Sequence, residues 1–154
     1  MASVYENLSR LGVVLPDAPK PVASYVPSVQ TGNLLVISGQ IPMVGGQLIA
    51  VGSVPGTVSV DDAQAAAQQC VLNGLAVAQD ALDGDLTRVR RVVRLGVFVA
   101  SDPGFTDQPI VANGASEIMQ ELFGDAGRHA RAAVGSVGLP LGASVEVEMM
   151  LEVS

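Results

Sequence analysis

From Val145 to Val153 apolar and polar residues alternate almost without a break, and this segment constrains the fold more than any other. Val145, Val147, Met149, Leu151 and Val153 share one face, and Glu146, Glu148, Met150 and Glu152 share the other. Successive side chains of a strand point to opposite faces, so this pattern describes a strand with one face against a core and one face not. Such a strand needs a second layer to cover its apolar face. Two helices are available for it. Ser59 and Asp62 form a capping pattern, and Val71, Leu75, Ala78 and Leu82 then recur on one helical face up to about Leu82. Ala63, Ala66, Ala67 and Gly74 keep that helix thin, and Gly84 is placed to stop it. Asp107 and Pro109 open another, with Val111, Ala115, Ile118 and Leu122 as its stripe and Gly124 at its end.

The remaining chain reads as shorter elements. Ser3 and Glu6 form a capping box before Val4, Leu8 and Leu11, so a short helix precedes Gly12, followed by an irregular lead-in with Pro16, Pro19 and Pro21. Val22 to Val29 and Leu34 to Ser38 read as strands around a Thr31-Gly32-Asn33 turn. The unbroken apolar run Leu34-Leu35-Val36-Ile37 predicts a strand covered on both faces. Gly45-Gly46 marks a turn, Gln47 to Ala50 a short strand, and residues 51–58 a loop. Arg88 to Ala100 is a valine-rich strand, and Ala132 to Ser136 a short one. The order is roughly α-β-β-β-α-β-α-β-β: an α+β two-layer sandwich, a mixed sheet with two long helices on one face. A chain of 154 residues suits one domain over 1–154, with 1–20 as helix and lead-in and 21–154 as core.

Composition narrows the function. Hydrophobic residues make up 49% and charged residues 15% of the chain, with mean hydropathy +0.43. That is apolar for a domain of this size, so part of its surface is expected to be covered by partner subunits. No stretch reaches the roughly 18–20 apolar residues that a spanning helix needs. The charged start lacks a secretory pattern, and the single Cys70 forms no internal disulfide, so a cytoplasmic protein is expected. The net charge is −7 with only eight Lys and Arg, which argues against nucleic acid as a main partner. Arg88, Arg90, Arg91 and Arg94 read as the solvated side of a strand rather than a binding patch. There is no P-loop, no GxGxxG, no HExxH and no GxSxG, and nothing calls for a metal or cofactor. His129 is the only histidine, and no partner for it is evident in the sequence.

Three places stand out. Ser38-Gly39-Gln40-Ile41-Pro42 closes an apolar strand, and Gly39 permits close approach of another group. Arg131 lies among Ala130, Ala132, Ala133 and Val134, where a guanidinium is expected to meet an anion. Glu146 lies on the polar face of the last strand with Glu148 and Glu152, a set that reads equally as a solvated edge. The guanidinium fork matches a carboxylate bidentately, and a glutamate can orient or deprotonate a water. The plainer alternatives are a structural ion pair for Arg131, packing for Tyr25 and Asn113, and a hydroxyl bonded to its own backbone for Ser38. Cys70 reads as a small buried hydrophobe.

Two separated motifs carry a resemblance to a known family. Tyr25-Val26-Pro27-Ser28-Val29, then Gly32 through Pro42, resembles the first hairpin of the RidA (YjgF-like) family. Arg131 through Pro140 and Gly142 through Glu148 resemble its C-terminal signature, with Arg131 nine residues before Pro140 and Glu146 six after it. Asn113 resembles the family's helix asparagine. The chain departs from the usual pattern at Ala23-Ser24, at Ala133 where a cysteine is common, at Ser116 where an aromatic residue is usual, and in its extra N-terminal helix.

The resemblance implies a chorismate-mutase-like fold and a homotrimer with sites in clefts between subunits. It implies hydrolysis of imines and enamines such as 2-aminoacrylate to a 2-oxo acid and ammonia. In that scheme Arg131 grips the substrate carboxylate and Glu146 positions the attacking water. Tyr25, Ser38 and Gly39 line the pocket with Asn113, and a backbone group near Ala133 helps to hold substrate or water. Two other functions compete: a trimer that binds a 2-oxo acid or another small carboxylate-bearing metabolite without turnover, and an endoribonuclease or translation inhibitor, against which the net charge and the lack of a histidine pair argue.

Overall fold

The computed structural model describes residues 2–21 and 23–154. Helix α1 (Val4–Leu11) forms where expected, with both bonds of the Ser3–Glu6 capping box in place. Gly12 ends it in the left-handed conformation, at φ 66°. Tyr5 pins it to the body, its hydroxyl donating to the Gly84 carbonyl (2.8 Å) and accepting from Leu86 N–H (2.9 Å).

Strand β1 (Ser28–Thr31) and strand β2 (Leu34–Gln40) form the first hairpin. The expected strand from Val22 is therefore shorter. Val22 lies outside the described residues, and residues 23–27 take bends and irregular backbone. Pro27 has no N–H to donate to a ladder, and only its carbonyl keeps the pairing going, accepting from Ser38 N–H at 3.0 Å. Strands β3 (Met43–Val44) and β4 (Gln47–Leu48) make a separate small hairpin around Gly45-Gly46. β3 was not anticipated, and β4 is shorter than the expected Gln47 to Ala50.

Helix α2 (Val60–Ala81) is capped by Ser59, and all four residues of its expected stripe, Val71, Leu75, Ala78 and Leu82, are fully buried. A short 3₁₀ turn (Leu86–Arg88) precedes strand β5 (Val89–Ala100), so Arg88 belongs to the turn rather than to the strand. Helix α3 (Gln108–Phe123), strand β6 (Ala130–Ser136) and strand β7 (Val145–Val153) complete the fold. β6 begins two residues earlier than expected, so it includes Arg131.

The five-stranded sheet has the order β1-β2-β7-β5-β6, antiparallel except for the parallel β5–β6 pair. Helix α2 packs over β7 and β2 and helix α3 over β5 and β6, which puts both on one face. The alternation of β7 places Val145, Val147, Met149, Leu151 and Val153 in the core beneath them. β7 is the central strand, so Glu146, Glu148 and Glu152 mark an uncovered face and not an edge. Leu34–Ile37 is likewise covered on one side only: Leu35 and Ile37 are buried, while Leu34 and Val36 are half-buried on the uncovered side. Register places Val36, Met150 and Phe98 on that face, crossed by an Arg94–Glu148 ion pair at 3.1 Å. Bulges in β5 turn both Arg90 and Arg91 outward.

The two long helices meet where Gly114 of α3 faces the backbone of Gln64 in α2, so a Cβ at Gly114 would overlap the Gln64 carbonyl. Helix propensity alone predicts that Gly114→Ala gains about 1 kcal/mol. The contact reverses the sign, because neither backbone can move independently. We expect Gly114→Ala to cost about 1–3 kcal/mol, read as a lower urea midpoint at unchanged slope.

Candidate functional site

Two clusters hold the residues singled out by the sequence, at separate places on the sheet. The first is built at the end of β2. There the pairing with β7 slips by one residue, Ile37 opposite Met149 but Gln40 opposite Val147. A bulge of this kind re-aims the chain, and it falls on Ser38-Gly39. A Cβ at Gly39 would overlap Glu146 Oε1, so glycine is required for the carboxylate to lie against the backbone. Gly39 also lines a cleft of about 160 Å³ with Tyr25, Pro27, Ile41 and Leu141, walled on the far side by Pro19 and Pro21 of the lead-in. Leu141 lines it from a left-handed conformation (φ 57°), which is strained for a leucine, and strain of this kind clusters at functional sites.

Glu146 is half-buried, and among the described residues no hydrogen bond or ion pair reaches it. Arg94, the nearest cation on that face by register, is engaged with Glu148. Burial first, and the Glu148 charge second, hold the Glu146 carboxyl above its ordinary value. This is the direction that makes a carboxylate a better proton acceptor near neutrality. Ser38 donates its hydroxyl to the Val26 carbonyl at 2.7 Å, a bond across to the segment before β1 and not to its own local backbone. Tyr25 is exposed, and its hydroxyl has no partner among the described residues.

The second cluster sits on β6, an edge strand. Register pairs Arg131 with Leu95 and Ala133 with Val97, both on the helix-covered face, so Arg131 reaches over α3. Its Nη1 donates to Asn113 Oδ1 (2.9 Å) and Ser116 Oγ (3.1 Å), and Nη2 donates to the Pro109 carbonyl at a longer 3.4 Å. No carboxylate pairs with it among the described residues, so no ion pair within the chain accounts for it. Both Nη1 hydrogens are used. The Nε–H and the Nη2 hydrogen beside it remain, and these form the side-on fork that grips a carboxylate with two parallel bonds. Asn113 is therefore a partner of Arg131 and not only a helix-packing residue.

Ser116 and His129 were not foreseen as members of this cluster. His129, for which the sequence shows no evident partner, has two: Nε2 lies 2.9 Å from Ser116 Oγ and Nδ1 lies 2.7 Å from the Gly127 carbonyl. One signal was present: Ser116 is three residues after Asn113 and so shares its helical face.

A single chain does not join the clusters. Glu146 is paired with Phe98 on the uncovered face, whereas Arg131 lies on the covered face, with β5 between their strands. The chain therefore presents two separate features: an arginine with an open fork at one edge, and a half-buried carboxylate against Gly39, which lines a mostly apolar cleft.

A mixed sheet of this order, backed on one face by two helices, defines the chorismate-mutase-like α+β class, here with an exposed arginine on its parallel edge strand. A family model described as "YjgF/chorismate_mutase-like, putative endoribonuclease" matches residues 6–153, and the chain belongs to this family, the RidA/YjgF proteins. Protein TCP17 of Trypanosoma cruzi is 48% identical over 154 residues, covering 98% of this chain and 94% of that protein. A 2-iminobutanoate/2-iminopropanoate deaminase of Dermatophagoides farinae is 30% identical over 136 residues, covering 88% and 91%. A crystal structure of an Agrobacterium tumefaciens protein of unknown function superposes with TM-score 0.92 at 46% identity, covering 98% of this chain and 92% of that one.

Proposed function

We propose that this protein is an imine/enamine deaminase acting on small 2-imino acids, and that its site is completed when two copies of the chain meet in a homotrimer. One observation carries the reading: Arg131 is an exposed guanidinium held by three neutral oxygens, with its side-on fork open and no carboxylate paired with it among the described residues. Such an arrangement is a receptor for a carboxylate that the chain does not supply. The family membership and the 30% identity to a named iminobutanoate deaminase support the same chemistry.

The mechanism asks little of the protein. The enamine 2-aminoacrylate takes a proton at its terminal carbon to become the imine. Water adds to the imine carbon, the C–N bond of the resulting carbinolamine breaks, and 2-oxo acid and ammonia leave. Arg131 of one copy fixes the carboxylate. Glu146 of the next copy accepts the proton of the attacking water and returns it to the departing nitrogen. Orientation and a charge already in place account for the acceleration. Tyr25, Ser38, Gly39 and Leu141 surround the substrate on the Glu146 side, and Asn113 and the β6 backbone near Ala133 on the Arg131 side. The half-covered apolar band of Val36, Phe98 and Met150 supports the assembly, being surface that a partner's sheet would take out of water.

The test is the release of ammonia from 2-aminoacrylate generated in place by a dehydratase. Release above the uncatalysed rate is expected. Binding of pyruvate without any acceleration would instead make the protein a metabolite-binding trimer.

A further inference from the structure

We propose that Ser116 and His129 are positioning residues for Arg131, forming a one-way chain of hydrogen bonds that fixes the guanidinium and holds His129 in a single tautomer. The inference rests on the reading of Arg131 as the carboxylate grip. The direction of the chain follows from its ends. Arg131 Nη1 can only donate, so Ser116 Oγ accepts from it at 3.1 Å. The Gly127 carbonyl can only accept, so His129 Nδ1 carries a hydrogen and donates at 2.7 Å. In a neutral imidazole Nε2 is then bare, and it accepts the Ser116 hydroxyl hydrogen at 2.9 Å. The chain runs Arg131 to Ser116 to His129 to Gly127, and every donor in it has an acceptor.

The placement of the members makes this chain a support. Ser116 is buried, at 6% exposure, on α3. His129 is half-buried just before β6, and Arg131 is exposed two residues further on. The hydroxyl therefore ties an exposed, flexible side chain to a buried helix face. Asn113 Oδ1 takes the other Nη1 hydrogen, and together the two acceptors orient the plane of the guanidinium. Without the bridge Nη1 keeps one strong partner, and Arg131 regains rotamers that must be lost again each time a carboxylate binds.

His129 is the only histidine in the chain, so ¹⁵N imidazole signals of the uniformly labelled protein belong to it alone. At a pH where the ring is neutral, we expect Nδ1 protonated and Nε2 bare, the reverse of the preference of the free histidine side chain. A ring protonated at Nε2 would overturn the chain. In turnover, Ser116→Ala is expected to raise KM about tenfold and leave kcat within about twofold, the loss of one hydrogen bond that holds a charged group. His129→Ala should shift KM in the same direction, and His129→Gln should restore it, because its amide oxygen can accept where Nε2 did. The Kd of pyruvate, measured by calorimetry, should follow the same order. Unchanged KM and Kd in both alanine variants would overturn the proposal. Should Ser116→Ala fail to fold, the tautomer and the His129 pair still decide it. Absence of turnover with any imine would defeat the deaminase reading instead, and the tautomer and the pyruvate Kd would continue to test the support of Arg131.

Discussion

Replacing Arg131 by alanine lowers kcat/KM for imine hydrolysis by about 100- to 1,000-fold, equivalent to roughly 3–4 kcal/mol of lost bidentate, charge-assisted binding. The loss falls mainly on KM, because a carboxylate away from the reacting carbon is held in much the same way in the ground state and in the transition state. Stability is unaffected within about 0.5 kcal/mol, since an exposed side chain leaves no buried charge behind. Lysine is a poor substitute. It carries the charge but cannot bond Asn113 and Ser116 while presenting two parallel donors to a carboxylate. Wild-type KM in Arg131→Ala would remove Arg131 from the site.

Glu146→Gln acts on kcat instead, with an expected drop of about 100- to 10,000-fold, the usual range for a lost general base. Its pH behaviour is a second signature. Burial, then Glu148, holds the Glu146 carboxyl above the ordinary value of 4.5, so the acid limb of wild-type kcat/KM should lie above that value and vanish from the residual rate of the variant. The same shift has a consequence for stability. A carboxyl whose folded pKa is raised above its unfolded one favours the protonated native state. That contribution is fully present below the unfolded pKa and is lost as pH rises through the folded one. Glu146→Gln should therefore melt higher than wild type at neutral pH, with the two converging on acidification. A lower melting temperature at neutral pH would mean that Glu146 supports the fold.

Much of the fold was legible in the sequence because its local signals agree with one another. The Ser3–Glu6 box, the Ser59 cap, the two helical stripes and the alternation of β7 each specify an element from residues a few positions apart, and all appear where expected. The misreadings have long-range causes. Val22 to Pro27 has the composition of a strand, but Pro27 cannot donate, and its segment meets β2 through carbonyls alone. Periodicity reports which residues face a core and not which strand is central, so Glu146, Glu148 and Glu152 passed for an edge. The continuous apolar run of β2 asks for two covered faces, and the single chain covers one. On the proposed reading, the other face waits for a second copy.

The candidate site divides in the same way. Arg131 and Glu146 stand out by residue type in an apolar setting. Gly39 stands out because a glycine ends a strand, and the structure shows that the approaching group is Glu146 itself. Ser116 and His129 could not be joined from sequence. Thirteen residues separate them, and their bond exists only because the 3₁₀ turn Gly124–Gly127 brings the start of β6 back across α3. Leu141 was also missed, since nothing in its type predicts a left-handed backbone.

On the proposed reading, Arg131 and Glu146 act together from different copies of the chain. The most direct measurement mixes the two inactive variants. Arg131→Ala and Glu146→Gln are co-refolded, mixed assemblies are verified by native mass spectrometry, and ammonia release from 2-aminoacrylate is followed. Random assembly pairs an intact Arg131 with an intact Glu146 at about one interface in four, so recovery of about a quarter of wild-type activity is expected. Mixed trimers as inactive as the separate variants would contradict a site shared between copies.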